Sequence, residues 1–82
     1  MKRYGKVSRF FPEKILDRSR RFFGPGGLGL EIREQNPGSI TFEGGGGFVT
    51  ITVRRSSNLK RTDVELISRE WDYPAAEYLR KI

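Results

Sequence analysis

The sequence predicts an α+β two-layer sandwich: an antiparallel meander of four or five strands with two helices on one face, in the order β-α-β-β-β-β-α. Three observations carry this. Between residues 28 and 66 apolar and polar side chains alternate, with turn residues about every ten positions, the pattern of half-buried antiparallel strands. Two flanking segments carry apolar residues at helical spacing. One apolar sheet face and two apolar helix stripes are buried most economically against each other.

Each element follows in order. Residues 3–10 (RYGKVSRF) alternate weakly, diluted by Gly5 and basic side chains, as an edge strand would. Pro12 then suits a first helical position, because its ring fixes φ near the helical value. Ile15, Leu16, Ser19, Phe22 and Phe23 form one stripe of a helix over 12–23. Gly24-Pro25 ends that helix, with Gly24 expected as a left-handed cap and Pro25 blocking continuation.

The strands come next. Leu28, Leu30 and Ile32 alternate with polar residues, Asn36-Pro37-Gly38-Ser39 turns the chain, and Ile40 and Phe42 follow. The run Gly44 to Gly47 is expected as a mobile hairpin loop, since glycine adopts positive φ without strain. Val49, Ile51 and Val53 form the next inward set, Ser56-Ser57-Asn58 a third turn, and Val64 and Leu66 begin the last strand. The alternation breaks at Ser68, where a bulge or strand end is expected. The opposite face carries Glu31, Glu43 and Glu65 with Arg33, Arg54 and Arg69, a pattern of cross-strand ion pairs on a solvated surface. Trp71 is expected to close the end of the sandwich. Pro74 suits the first turn of a last helix, preceded by Asp72 or Tyr73, with Ala75, Tyr78, Leu79 and Ile82 as its stripe.

The stretch Val64-Glu-Leu-Ile-Ser-Arg-Glu-Trp71-Asp-Tyr-Pro-Ala-Ala-Glu-Tyr-Leu-Arg-Lys-Ile82 resembles the last strand and terminal helix of the helix-grip superfamily of START-type and polyketide-cyclase-like proteins. The early helix before a Gly-rich turn resembles their first helix, and the element order resembles the TATA-binding-protein-like fold. What the resemblance implies is an apolar ligand held between the sheet and the C-terminal helix, here about nine residues long.

Composition narrows the chemistry. The chain has 82 residues, 35% apolar and 32% charged, with ten glycines and no cysteine or histidine. This length is read as a single domain over 1–82. Disulfides, thiolate nucleophiles, imidazole bases and thiol or imidazole metal ligands are excluded together. No apolar run exceeds two residues, so neither a signal peptide nor a membrane span is expected, and the cytoplasm is the default compartment. Ser56, Ser57 and Thr62 have no histidine to activate them, and Lys60 lacks an apolar surround. Gly24-Pro-Gly26-Gly-Leu-Gly29 matches G-x-G-x-x-G, but it follows a helix and opens a strand, the reverse of a dinucleotide site. The four glycines at 44–47 lack the Lys-Ser/Thr and helix of a phosphate-binding loop. No enzyme, metal or cofactor is expected.

The charge is more informative once located. Residues 1–23 hold eight basic side chains against Glu13 and Asp17, the whole of the net +6. Arg54, Arg55, Lys60 and Arg61 flank the third turn, and Arg18, Arg20 and Arg21 crowd the end of the first helix. Arg54, Arg55, Lys60, Arg61, Arg18 and Arg21 are therefore the candidate residues for binding a polyanion, either nucleic acid or an acidic protein. Phe22 and Phe23 belong to the buried stripe, which leaves no stacking platform except Phe48 on the strands; contact is expected to be with phosphates. The function expected is a non-enzymatic binding or interaction module. The alternatives are weak nucleic-acid or polyanion binding through the basic turn and N-terminal segment, and an apolar ligand between sheet and helix.

Overall fold

A computed structural model describes residues 1–56 and 60–82. The elements are β1 (Lys2–Ser8), α1 (Pro12–Phe23), β2 (Glu31–Asn36), β3 (Ser39–Gly44), β4 (Gly47–Arg55), β5 (Thr62–Arg69) and α2 (Asp72–Arg80). The strands form one antiparallel sheet in the order β1-β5-β4-β3-β2. The architecture is the α+β order read from the sequence, with five strands.

The register explains the core. Tyr4, Leu66, Ile51, Ile40 and Gln35 lie in one row across the sheet, and Ser68, Val49, Phe42 and Ile32 in another. Ile40, Phe42, Val49, Ile51, Val53, Val64 and Leu66 are buried in one cluster with Ile15, Leu16 and Phe23 of α1 and Ala75, Tyr78 and Leu79 of α2. Both helices therefore lie on the same face. The rings of Phe23, Phe42 and Tyr78 fill the space between the layers, with centroids 5.5 Å apart for Phe23–Phe42 and 5.2 Å for Phe23–Tyr78.

Several local expectations are corrected. β1 ends at Ser8 rather than reaching Phe10, because the Phe10 amide turns back to donate to Ser8 Oγ at 3.1 Å. Its inward residues are Tyr4, Lys6 and Ser8, which is why its alternation reads weakly. Gly24 is extended, with φ −73°, and not left-handed. It is a glycine for want of space: a Cβ would stand 2.4 Å from the Arg20 carbonyl oxygen. Leu28 is exposed in the turn between α1 and β2, so only Leu30 of that pair reaches the core. No register shift falls at Ser68, where the sequence pattern predicts a bulge or strand end; β5 ends one residue on, at Arg69, and the register shift lies in β2, between Ile32 and Glu34. Ser68 continues the inward alternation opposite Val49, fully buried, with no hydrogen-bond partner for its Oγ.

The glycine hairpin is tighter than expected. Gly44 and Gly47 pair as strand residues, leaving Gly45 and Gly46 as a two-residue turn at φ +59° and +80°. Gly47 must also lack a side chain, since a Cβ would lie 2.0 Å from the Arg69 carbonyl oxygen. Of the third turn, Ser57 and Asn58 lie outside the described residues; Ser56 N donates to Arg61 O across its base at 3.0 Å. α2 begins at Asp72, earlier than the proline suggests, with Trp71 at the N-cap. The Trp71 indole, half-buried, donates from Nε1 to the Gly44 carbonyl at 2.8 Å and packs on the edge of the core. Ile82 lies beyond the end of α2, half-buried against the same core.

The outer face of the sheet carries one ion pair of the expected set, Arg33–Glu43 at 3.5 Å, while Glu65 pairs instead with Arg3 of β1, at 2.9 Å; all four side chains are largely exposed. Thr41 and Thr50 share a hydroxyl hydrogen bond of 3.0 Å on the same face. Such exposed pairs each contribute a few tenths of a kcal/mol, up to about 1.

Candidate functional site

Basic side chains gather around one part of the molecule, on the rings of Phe10 and Phe11. It is built around the link between β1 and α1. Pro12 fixes the start of α1, and the Phe11 carbonyl accepts from the Lys14 and Ile15 amides at 3.0 and 3.1 Å. The Phe10 carbonyl accepts from Thr62 Oγ1 at 2.6 Å, tying the link to the start of β5. Ser8 Oγ donates to the Ile82 carbonyl at 2.9 Å, and Lys6 Nζ donates to the carbonyl of Leu79. Two strands and both helices thus meet at this link.

Cations stand on the two aromatic rings held there. The Arg55 guanidinium lies 4.6 Å from the Phe11 ring centroid. On Phe10 stand Arg18, at 4.7 Å, and Lys14, at 5.1 Å. Each such contact is worth about 0.5–1 kcal/mol at an exposed site, so the rings hold the cations near one another despite their repulsion. Arg18 also donates to the Lys81 carbonyl at 3.4 Å. Lys81 in turn stands 5.2 Å from the Phe22 centroid.

Of the residues singled out in the sequence, Arg55 and Arg18 are brought together at this end, with Arg61 and Lys60 beside Thr62 at the start of β5. Arg54 is not: strand alternation turns it to the outer face, opposite Asp63. Arg21 is held by Asp17, 3.2 Å away one helical turn earlier. Arg20 reaches the other way, donating to Gln35 Oε1 of β2 at 2.9 Å. Sequence reasoning missed Phe10, Phe11 and Lys81, and reached Lys14 only as part of the N-terminal basic segment. The signal available was Arg9-Phe10-Phe11-Pro12: two aromatics immediately before a helix-starting proline are outside the stripe that α1 buries.

Two depressions flank this region. Between the helices a groove of about 390 Å³ has cations Lys14, Arg18, Arg21 and Lys81 around a floor of Phe22 and Tyr78, with Asp17 as its carboxylate. Burial pushes the Tyr78 hydroxyl up to about 12, so it stays protonated at the base of this groove. On the outer sheet face the missing side chain of Gly5 leaves a hollow of about 710 Å³. Arg54 there stands with Asp63 and Glu65, so charge of both signs lines it. The first depression continues the basic end; the second is electrostatically mixed.

Compared with family models, curated proteins and solved structures, the chain matches none. Among the described residues no helix is long and apolar enough to cross a membrane, and no group of three or more acidic side chains is placed to hold a metal ion.

Proposed function

We propose that the protein is a non-enzymatic binding module that takes a polyanion, a nucleic-acid strand held by its phosphates, at the end built from the β1–α1 link. The observation that carries this reading is the convergence of Arg55 on Phe11 and of Arg18 and Lys14 on Phe10, at distances of 4.6 to 5.1 Å. Arg9 precedes these rings in the chain, and Lys60 and Arg61 precede Thr62, which binds the Phe10 carbonyl. The carboxylates closest in sequence are Glu13 and Asp17, and the second is engaged by Arg21. Clustered cations in a chain of net +6 raise the local potential and attract polyanions. Phe23, Phe42 and Tyr78 occupy the space between sheet and helices, which favours a surface site over an apolar ligand inside. The order β-α-β-β-β-β-α supports reading the scaffold as a minimal helix-grip or TATA-binding-protein-like domain.

The test is a titration of fluorescently labelled single-stranded and duplex oligonucleotides at two salt concentrations. Binding of about micromolar strength at low salt, weakening steeply as salt rises, is expected. Replacing Lys14, Arg18, Lys60 and Arg61 by Ser lowers both the affinity and the salt slope, whereas Arg54→Ser, on the outer face, changes neither beyond its single charge. Absence of binding at low salt, or equal binding by the four-site variant, overturns the proposal.

A further inference from the structure

We infer that Phe11 is a base-stacking platform, so that the basic end selects unpaired nucleic-acid strands over duplex; this rests on the polyanion reading above and names the substrate class of that site. Phe11 is 59% exposed although it adjoins the core-forming helix. An exposed ring on a loose loop would mean little, but this one is mounted on fixed backbone. Its own carbonyl accepts the first two hydrogen bonds of α1, and Pro12 follows it. Its neighbour Phe10 is tied to β5 through Thr62. The backbone that carries the ring is therefore held by both α1 and β5, which lowers the ordering cost of binding to that of the side chain alone.

The chemistry around it distinguishes it from the other exposed aromatic. Tyr73 is 80% exposed but stands beside Asp72, and Glu77 follows one helical turn later, which repels a phosphate backbone. Phe11 instead carries the Arg55 guanidinium at 4.6 Å. Arg55 places a positive charge against the ring, and the exposed part of the ring can take a base. Single-strand sites combine these two elements, a cationic track and an aromatic face that accepts any base. A duplex keeps its bases stacked on one another, so it gains from the cations alone.

Phe11→Ala tests this because its consequence differs from that of removing charge. The expected result is about tenfold weaker binding of a labelled oligothymidylate, with the slope of log K against log salt unchanged and a much smaller loss for duplex, which gains from the cations alone. Phe11→Trp restores or strengthens single-strand binding. The Phe11 side chain makes no capping hydrogen bond, so circular dichroism of the variant should match wild type and melting should fall by no more than the lost Arg55 contact accounts for; heparin serves as a polyanion without bases and should lose far less affinity than oligothymidylate. Equal oligothymidylate affinity for Phe11→Ala and wild type overturns the stacking role while leaving polyanion binding standing. Equal loss for duplex, heparin and single strand also overturns it, since the ring would then serve only to hold Arg55. Failure of wild type to bind any of the three removes both readings.

Discussion

The hydroxyls of Ser19 and Tyr78 lie 2.6 Å apart, and each is 2.8 Å from the carbonyl oxygen of Ile15. This triangle is buried, and it joins α2 to α1 through polar groups inside an otherwise apolar core. Ser19 sits in the apolar stripe of α1 for this reason: it back-bonds the carbonyl one turn earlier and meets the tyrosine. Tyr78→Phe is expected to cost about 1–1.5 kcal/mol and Ser19→Ala a similar amount. Because the two hydroxyls share one acceptor, the double variant should cost less than the two single changes together. Urea unfolding of the four proteins measures the coupling.

The same tyrosine makes stability fall at alkaline pH. Its native pKa stands near 12 against 10.0 for a free side chain, because burial opposes the phenolate. The contribution is complete below about pH 10; between 10 and 12 the unfolded chain loses this proton while the folded chain keeps it. Stability should then decline by about 1.4 kcal/mol per pH unit from this group alone. The decline in wild type, measured by denaturant midpoints from pH 9 to 12, should be steeper than in Tyr78→Phe.

Ser68 is a stability defect that can be repaired. Its Oγ is buried without a partner on the inward face of β5, opposite Val49. Ser68→Ala removes the unsatisfied hydroxyl and leaves the strand intact, so we expect a gain of about 1 kcal/mol, or a melting temperature higher by about 5 °C. A lower melting temperature would mean that the hydroxyl is satisfied in solution.

Backbone conformation decides the sign of two neighbouring substitutions. Glu70 has φ +70° where β5 passes into α2, an unfavourable angle for a side chain of this kind. Glu70→Gly should stabilise by a few tenths of a kcal/mol up to about 1, less the extra freedom that glycine gives the unfolded chain. Gly46→Ala, at φ +80° in the β3–β4 turn, should destabilise by about 1 kcal/mol. Thermal melts of the two variants should move in opposite directions.

Trp71 acts on this same junction from the side chain. Trp71→Phe keeps a ring at the edge of the core but loses the 2.8 Å bond to the Gly44 carbonyl, for about 1 kcal/mol. Trp71→Ala loses the packing as well and should cost about 3 kcal/mol. Equal denaturant midpoints for Trp71→Phe and wild type would show that the hydrogen bond contributes nothing.

Much of the scaffold was legible in the chain itself. The alternation from Leu30 to Leu66 and the stripes Ile15-Leu16-Ser19-Phe23 and Ala75-Tyr78-Leu79 have periods that only one buried face can satisfy, so element type, order and core follow from local spacing. The same period already sends Arg54 and Arg55 to opposite faces, and so divides the basic cluster that lies together in the sequence. The bulge in β2, the extended Gly24 and the start of α2 at Asp72 were not legible, because each depends on what the backbone meets in space. The candidate site depends on tertiary structure most of all. Phe11 and Arg55, or Phe10 and Thr62, are far apart in the chain, and no local pattern encodes their contact. They meet because β1 pairs with β5 and β5 with β4, and that register is set by burying one sheet face under two helices, an interaction with no counterpart in any single segment.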